Sequence, residues 1–110
     1  MNITHEIRGD ILIIRPSGRI DSTTALELER AIGELLEAGS RRLILSLGDV
    51  GYVSSAGLRA VLITGKKMRA AQGKLVLVGM REMVHEVFEM SGFLKIFTVV
   101  ETLEEGVAAV

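Results

Sequence analysis

Two hydrophobic periods alternate along the chain. Near its start, ITHEIRGDILIIRPSGRID reads as two short strands around a turn at Gly9-Asp10. The second strand, Ile11 to Arg15, is almost wholly apolar and suits a central position; Pro16, with no N–H to offer a ladder, is expected to end it. The period then lengthens. Ala25, Leu28, Ile32, Leu35 and Leu36 fall on one helical face, Thr24 and Glu27 have capping-box spacing, and Gly39 supplies a stop. Gly33 inside that helix costs about 1 kcal/mol against alanine, which the apolar stripe outweighs.

RRLILSL marks a third strand, Leu43 to Leu47, apolar enough to be covered on both faces. A second helix follows from about Ala56 to Ala71, with Leu58, Val61, Leu62, Gly65 and Met68 inward. Gly73 and then KLVLVG give a turn and a fourth strand. REMVHEVFEMSG is a helix with Met83, Val84, Val87 and Phe88 inward, stopped by Gly92. KIFTVV is a last short strand or extended segment, and ETLEEGVAAV a terminal helix with Thr102 and Glu105 at capping-box spacing. Met68, Met80, Met83 and Met90 read as core filler. The order ββαβαβα(β)α predicts an α/β fold. Its sheet would be mixed and mostly parallel, of about four to five strands with an antiparallel entry hairpin, accompanied by about four helices.

Composition narrows the function more than the fold. The 110 residues suit one domain, residues 1–110, able to bury about two-thirds of its unfolded surface. A net charge of -1 provides no field for nucleic acid or anionic lipid. Local basic clusters, Arg41-Arg42 and Lys66 to Arg69, read as helix ends and a solvated face. There is no cysteine, so disulfides, thiol catalysis and thiolate metal sites are excluded. No signal-peptide layout and no apolar run of about 20 residues is present, so the expectation is a cytoplasmic protein.

The search for an active site fails at each motif. Ser55 lacks the first glycine of a G-x-S-x-G elbow, since Val53 stands there. GDVGYVSSAG has no G-K-[ST] to hold phosphate, and TGKK lies mid-helix with its amides already bonded. His5 and His85 have no carboxylate partner recognisable by spacing. No enzyme, metal site or cofactor is expected.

What stands out is DVGYVSSAGLRAVL, where two serines meet the start of a helix. One serine there caps the helix, worth about 1 kcal/mol. The second is left exposed in the first turn, beside Gly48, Gly51 and Gly57, small residues that admit another chain. A phosphate on that hydroxyl would meet the positive end of the helix dipole and leave the helix intact. It would add about 1.5 to 2 negative charges to a docking surface.

LILSLGDVGYVSSAGLRAVL resembles the signature of the anti-sigma factor antagonists, bacterial members of the sulfate-transporter and anti-sigma antagonist (STAS) domain family. That signature runs D-x-S-x-V-x-[FY]-[IMV]-D-S-[SA]-G-L, and Tyr52, Val53, Ser55, Ala56, Gly57 and Leu58 match it. SGRID, Ser17 to Asp21, is similar to the family's GxLD; VFEMSGFLKIF, Val87 to Phe97, is similar to its hFxhTGhxxhF, with h apolar. The three matches are in order and span nearly the whole chain. The chain departs from the pattern at Ser54, where the family usually has aspartate, and at Ser46, where the first aspartate falls; Asp49 is out of register.

The resemblance implies a phosphorylation-switched binding module. Ser55 would be the phosphoacceptor, with Ser54 a second, less favoured hydroxyl. The unphosphorylated chain would bind an anti-sigma factor with serine kinase activity and free a sigma factor for transcription. A PP2C-type phosphatase would reset it. The surface expected to engage the partner comprises Asp21, Ser22, Asp49, Gly51, Tyr52, Ser54, Ala56, Gly57, Leu58 and Arg59. A monomer or weak dimer is expected, with no membrane or nucleic-acid partner. The alternative is a non-switching STAS scaffold, or a subunit of a signalling or lipid-transport assembly, in which Ser55 is only a cap. If Gly57 has a positive φ or packs tightly on the sheet, it belongs to the fold and not to the docking surface.

Overall fold

The structure, a computed structural model, describes residues Met1–Val110. Strands β1 (Asn2–Arg8), β2 (Ile11–Ile20), β3 (Arg42–Ser46), β4 (Val50–Val53), β5 (Lys74–Val78) and β6 (Thr98–Val100) alternate with helices α1 (Ala25–Glu37), α2 (Ser55–Ala70), α3 (Glu82–Met90) and α4 (Leu103–Ala109). A single 3-10 turn, Phe93–Lys95, precedes β6. The sheet order is β1-β2-β3-β5-β6; β1 is antiparallel to β2, and the other pairings are parallel. This is the expected α/β domain with an antiparallel entry hairpin. A sixth strand, β4, joins β2 off the main path.

The apolar runs are buried on both faces because both faces are covered. Leu12, Ile14, Leu43, Leu45, Leu75 and Leu77 point into the larger core, with Leu28 and Ile32 of α1, Val61 and Met68 of α2, and Val84 and Phe88 of α3. Ile11, Ile13, Ile44, Val76 and Val78 point the other way, under α4. Gly106 lets that short helix close down: a β-carbon there would lie 2.7 Å from Val78 Cγ2. The Thr102 hydroxyl accepts the Glu105 N–H at 3.1 Å, the expected cap.

Four local expectations need correction. Pro16 does not end β2. Pairing with β3 stops at Ile14 and pairing with β4 starts at Gly18, so the missing N–H falls in a gap between two parallel partners. Thr24 occupies the N-cap position of α1 but makes no side-chain cap; its hydroxyl donates to the Arg19 carbonyl at 2.6 Å. The buried face of α2 is Gly57, Ala60, Val61, Thr64 and Met68, while Leu58, Leu62 and Gly65 are half-buried at its flank. Small residues bring this helix close to the sheet, and Thr64 is satisfied by donating to the Ala60 carbonyl at 2.9 Å. In α3, Val84 and Phe88 are buried, but Met83 is 70% and Met90 87% exposed, so neither fills the core.

Candidate functional site

Parallel pairing of β2 with β4 sets the site. Arg19 lies opposite Tyr52 and Ile20 opposite Val53, and each strand runs directly into a helix. Asp21 to Thr24 lead from β2 into α1, and Ser54 leads from β4 into α2, so two helix N-termini leave the sheet side by side. The Ile20 carbonyl accepts the Ser54 N–H at 2.9 Å, and the Asp49 carbonyl accepts the Gly18 N–H at 3.0 Å. These backbone bonds bring together the SGRID and DVGYVSSAGL segments, distant in sequence.

The two serines are not equivalent. Ser54 is half-buried with extended backbone, and its hydroxyl accepts the Gly57 N–H at 3.3 Å. It is the N-cap. Ser55 is the first residue of α2, exposed, and its hydroxyl has no partner within the protein. The positive end of the α2 dipole lies beside it.

Asp21 is structural at its carboxylate. Oδ1 accepts the Thr23 hydroxyl at 2.7 Å and the Thr23 N–H at 3.0 Å, an Asx-turn that orders the entry into α1. These bonds, the hydroxyl's first, hold the Asp21 carboxyl below its ordinary value despite some desolvation. Oδ2 lies 3.6 Å from Arg19 Nε, and the Arg19 guanidinium carbon stands 4.1 Å from the centre of the Tyr52 ring. Carboxylate, guanidinium and phenol thus form one row across the paired strand ends, with Tyr52 40% exposed at its end.

Of the other expected residues, Ser22, Asp49, Gly51 and Arg59 are exposed, and Ala56 and Leu58 are half-buried against the core. Gly57 is a correction. It is buried, and a β-carbon there would lie 2.6 Å from the Ile20 carbonyl oxygen and 2.9 Å from both Ile20 Cγ2 and Val53 Cγ1. Its lack of a side chain serves packing of α2 on the β2–β4 pair. His5 and His85 are exposed on β1 and α3.

Two arginines escaped the sequence reading. Arg19 sits inside SGRID, where its place opposite Tyr52 became visible only through strand pairing. Arg81 ties the start of α3 to the loop before β4: Nε donates to the Gly48 carbonyl at 2.9 Å and Nη1 lies 3.6 Å from where a Gly51 β-carbon would be. Nothing in the local pattern around Arg81 announces this long-range bond.

The STAS domain model matches residues 2–106. The chain belongs to the STAS family. It is 42% identical over 109 residues to BtrV of Bordetella bronchiseptica, described as a candidate anti-sigma factor antagonist, covering 99% of this chain and 94% of the relative. Among solved structures, an anti-sigma factor antagonist from Mycobacterium paratuberculosis superposes with a TM-score of 0.90 at 27% identity, covering 99% of this chain and 92% of the other. The phosphorylated form of the Bacillus cell fate determinant SpoIIAA shares the fold, with a TM-score of 0.76 at 20% identity and 98% of each chain covered. The family's antagonists are binding regulators and not enzymes, as the sequence reading expects. No helix of this STAS domain is long and apolar enough to cross a membrane.

Proposed function

We propose that this STAS domain is an anti-sigma factor antagonist switched by phosphorylation of Ser55. Unmodified, it binds an anti-sigma factor that is also a serine kinase, and so releases a sigma factor. The kinase transfers the γ-phosphoryl group of ATP to the Ser55 hydroxyl, giving phosphoserine and ADP, and a PP2C-type phosphatase hydrolyses the ester. The naming of relatives as anti-sigma factor antagonists supports the partner class.

The observation that carries the reading is the division of labour between adjacent hydroxyls. Ser54 is committed to the helix cap, whereas Ser55 is exposed and free. Phosphate on Ser55 would therefore break no intramolecular bond. It would gain from the helix dipole, typically by 0.3–1 kcal/mol for a charge near an exposed N-terminus. Against a docked partner, the same charge must be desolvated, at a cost of several kcal/mol when unpaired. Fold and binding then respond in opposite directions to one modification, which is what a switch requires.

The docking surface in this reading comprises Asp21, Ser22, Asp49, Gly51, Tyr52, Ala56, Leu58 and Arg59 around Ser54 and Ser55, with Arg19 added and Gly57 withdrawn. Its test is phosphosite mapping. Wild type, Ser54→Ala and Ser55→Ala are incubated with the cognate anti-sigma kinase and ATP, then digested for mass spectrometry. Phosphate should appear at residue 55 in the first two and vanish in the third. Wild-type phosphorylation of Ser55→Ala would sink the proposal.

A further inference from the structure

At the far end of α2 from Ser55 lies a cleft of about 520 Å³. Its walls are the last turns of α2, the start of β5, and the segment running from the 3-10 turn into β6. The volume falls in the range of small-molecule sites, about 300–1,000 Å³. Its apolar surface comes from Leu62, Leu75, Ile96 and Phe97, and Ile96 is 57% exposed although it is a large aliphatic residue.

Charge tells what could fill it. Lys66 and Arg69, three apart and so on one face of α2, and Lys74 at the start of β5 all line the cleft. None of the three forms an ion pair, and no acidic residue lines the cleft with them. Lys67, their neighbour, faces a different groove that holds Glu29, Glu34 and Glu37. Cations near a helix C-terminus are favoured by its dipole. That accounts for a charge on the last turn but not for Lys74, which the next strand brings to the same rim.

We infer that this cleft is a binding site for a small soluble anion with an apolar body, such as an alkyl phosphate. The apolar body would cover Ile96, Phe97 and Leu62, and the head group would sit among Lys66, Arg69 and Lys74. A concave wall suits a discrete molecule better than a flat bilayer surface. The site is separate from the Ser55 surface and does not depend on it.

The probe is decyl phosphate below its micelle concentration, titrated into the ¹⁵N-labelled full chain by NMR, with decanol and inorganic phosphate as controls. Decyl phosphate should saturate with shifts centred on Leu62, Gly65, Phe97 and Thr98, and each control should bind at least tenfold more weakly. The exposed double variant Lys66→Glu/Arg69→Glu, and separately Lys74→Glu, should weaken binding tenfold or more with an unchanged circular dichroism spectrum. Decanol binding as tightly as decyl phosphate overturns the proposal. So do shifts centred elsewhere, failure to saturate, or binding only to phosphatidylglycerol vesicles.

Discussion

The Ile20 carbonyl oxygen accepts the Ser54 N–H at 2.9 Å and would lie 2.6 Å from a β-carbon placed on Gly57. One backbone oxygen therefore anchors the cap residue and sets how closely α2 approaches β2. Gly57→Ala should push the helix outward and loosen the Ser54 bond. Overpacking of this kind typically costs about 1–3 kcal/mol. For a domain this size, each kcal/mol lowers the melting temperature by roughly 4–8 °C. Thermal melting checks it, and a variant as stable as wild type would mean that α2 is not held against Ile20.

Ser54→Ala should lose stability by about 1 kcal/mol, the usual worth of an N-cap hydroxyl. Ser55→Ala should lose nothing measurable, because its hydroxyl bonds to nothing in the fold. Parallel urea denaturation of the two variants is the check, and equal losses would contradict the separation of cap from acceptor.

Asp21 offers a pH readout. Its carboxyl titrates below the ordinary value of 3.8 because the Thr23 hydroxyl and N–H bond the ionised form. With the folded pKa depressed, what Asp21 adds to stability is present above the unfolded pKa and lost as pH falls through the folded one. Thr23→Val removes the hydroxyl bond and keeps the backbone one. The carboxyl carbon, followed by NMR, should then titrate at a higher pH, nearer 3.8. An unmoved midpoint would show that the Thr23 hydroxyl does not hold this carboxylate.

The α3 face gives a packing test. Phe88 is fully buried, and its ring lies 5.8 Å centre-to-centre from Phe93 in an edge-to-face pair. Phe88→Ala should cost about 3–5 kcal/mol. Met83→Ser, on the exposed side, should stay within about 0.5 kcal/mol of wild type. Chemical denaturation distinguishes them, and a large loss in Met83→Ser would return that side chain to the core.

Where the sequence and structure agree, the signal is long and periodic. The apolar runs at Ile11 and Leu43 were legible because strands covered on both faces need no alternation. Gly92 was legible as a stop, and it takes a left-handed φ of 81°. β4 was not, because VGYV is four residues long and its two middle positions are exposed. Its strand character comes from pairing with β2. Leucines mark the apolar stripe of α2, yet its buried face carries Gly57, Ala60 and Thr64, with Gly57 set against Ile20. Met83 is apolar yet exposed, because Val84 and Phe88 alone carry the buried face of α3. Of the candidate site, Asp21, Ser54 and Ser55 were legible as positions at helix starts. Arg19 and Arg81 depend on partners far along the chain, which no local pattern encodes.

The most direct test of the Ser55 switch is the affinity of its two covalent states for one partner. Kinase-phosphorylated and unmodified protein are titrated calorimetrically against the anti-sigma factor, and both are melted by circular dichroism. An uncompensated buried charge worth several kcal/mol corresponds to a dissociation constant at least a hundredfold higher, since each 1.4 kcal/mol is tenfold. The account predicts that loss of affinity together with an unchanged or slightly raised melting temperature. Equal affinity of the two states, or a phosphorylated form that loses affinity only because it has unfolded, would contradict it.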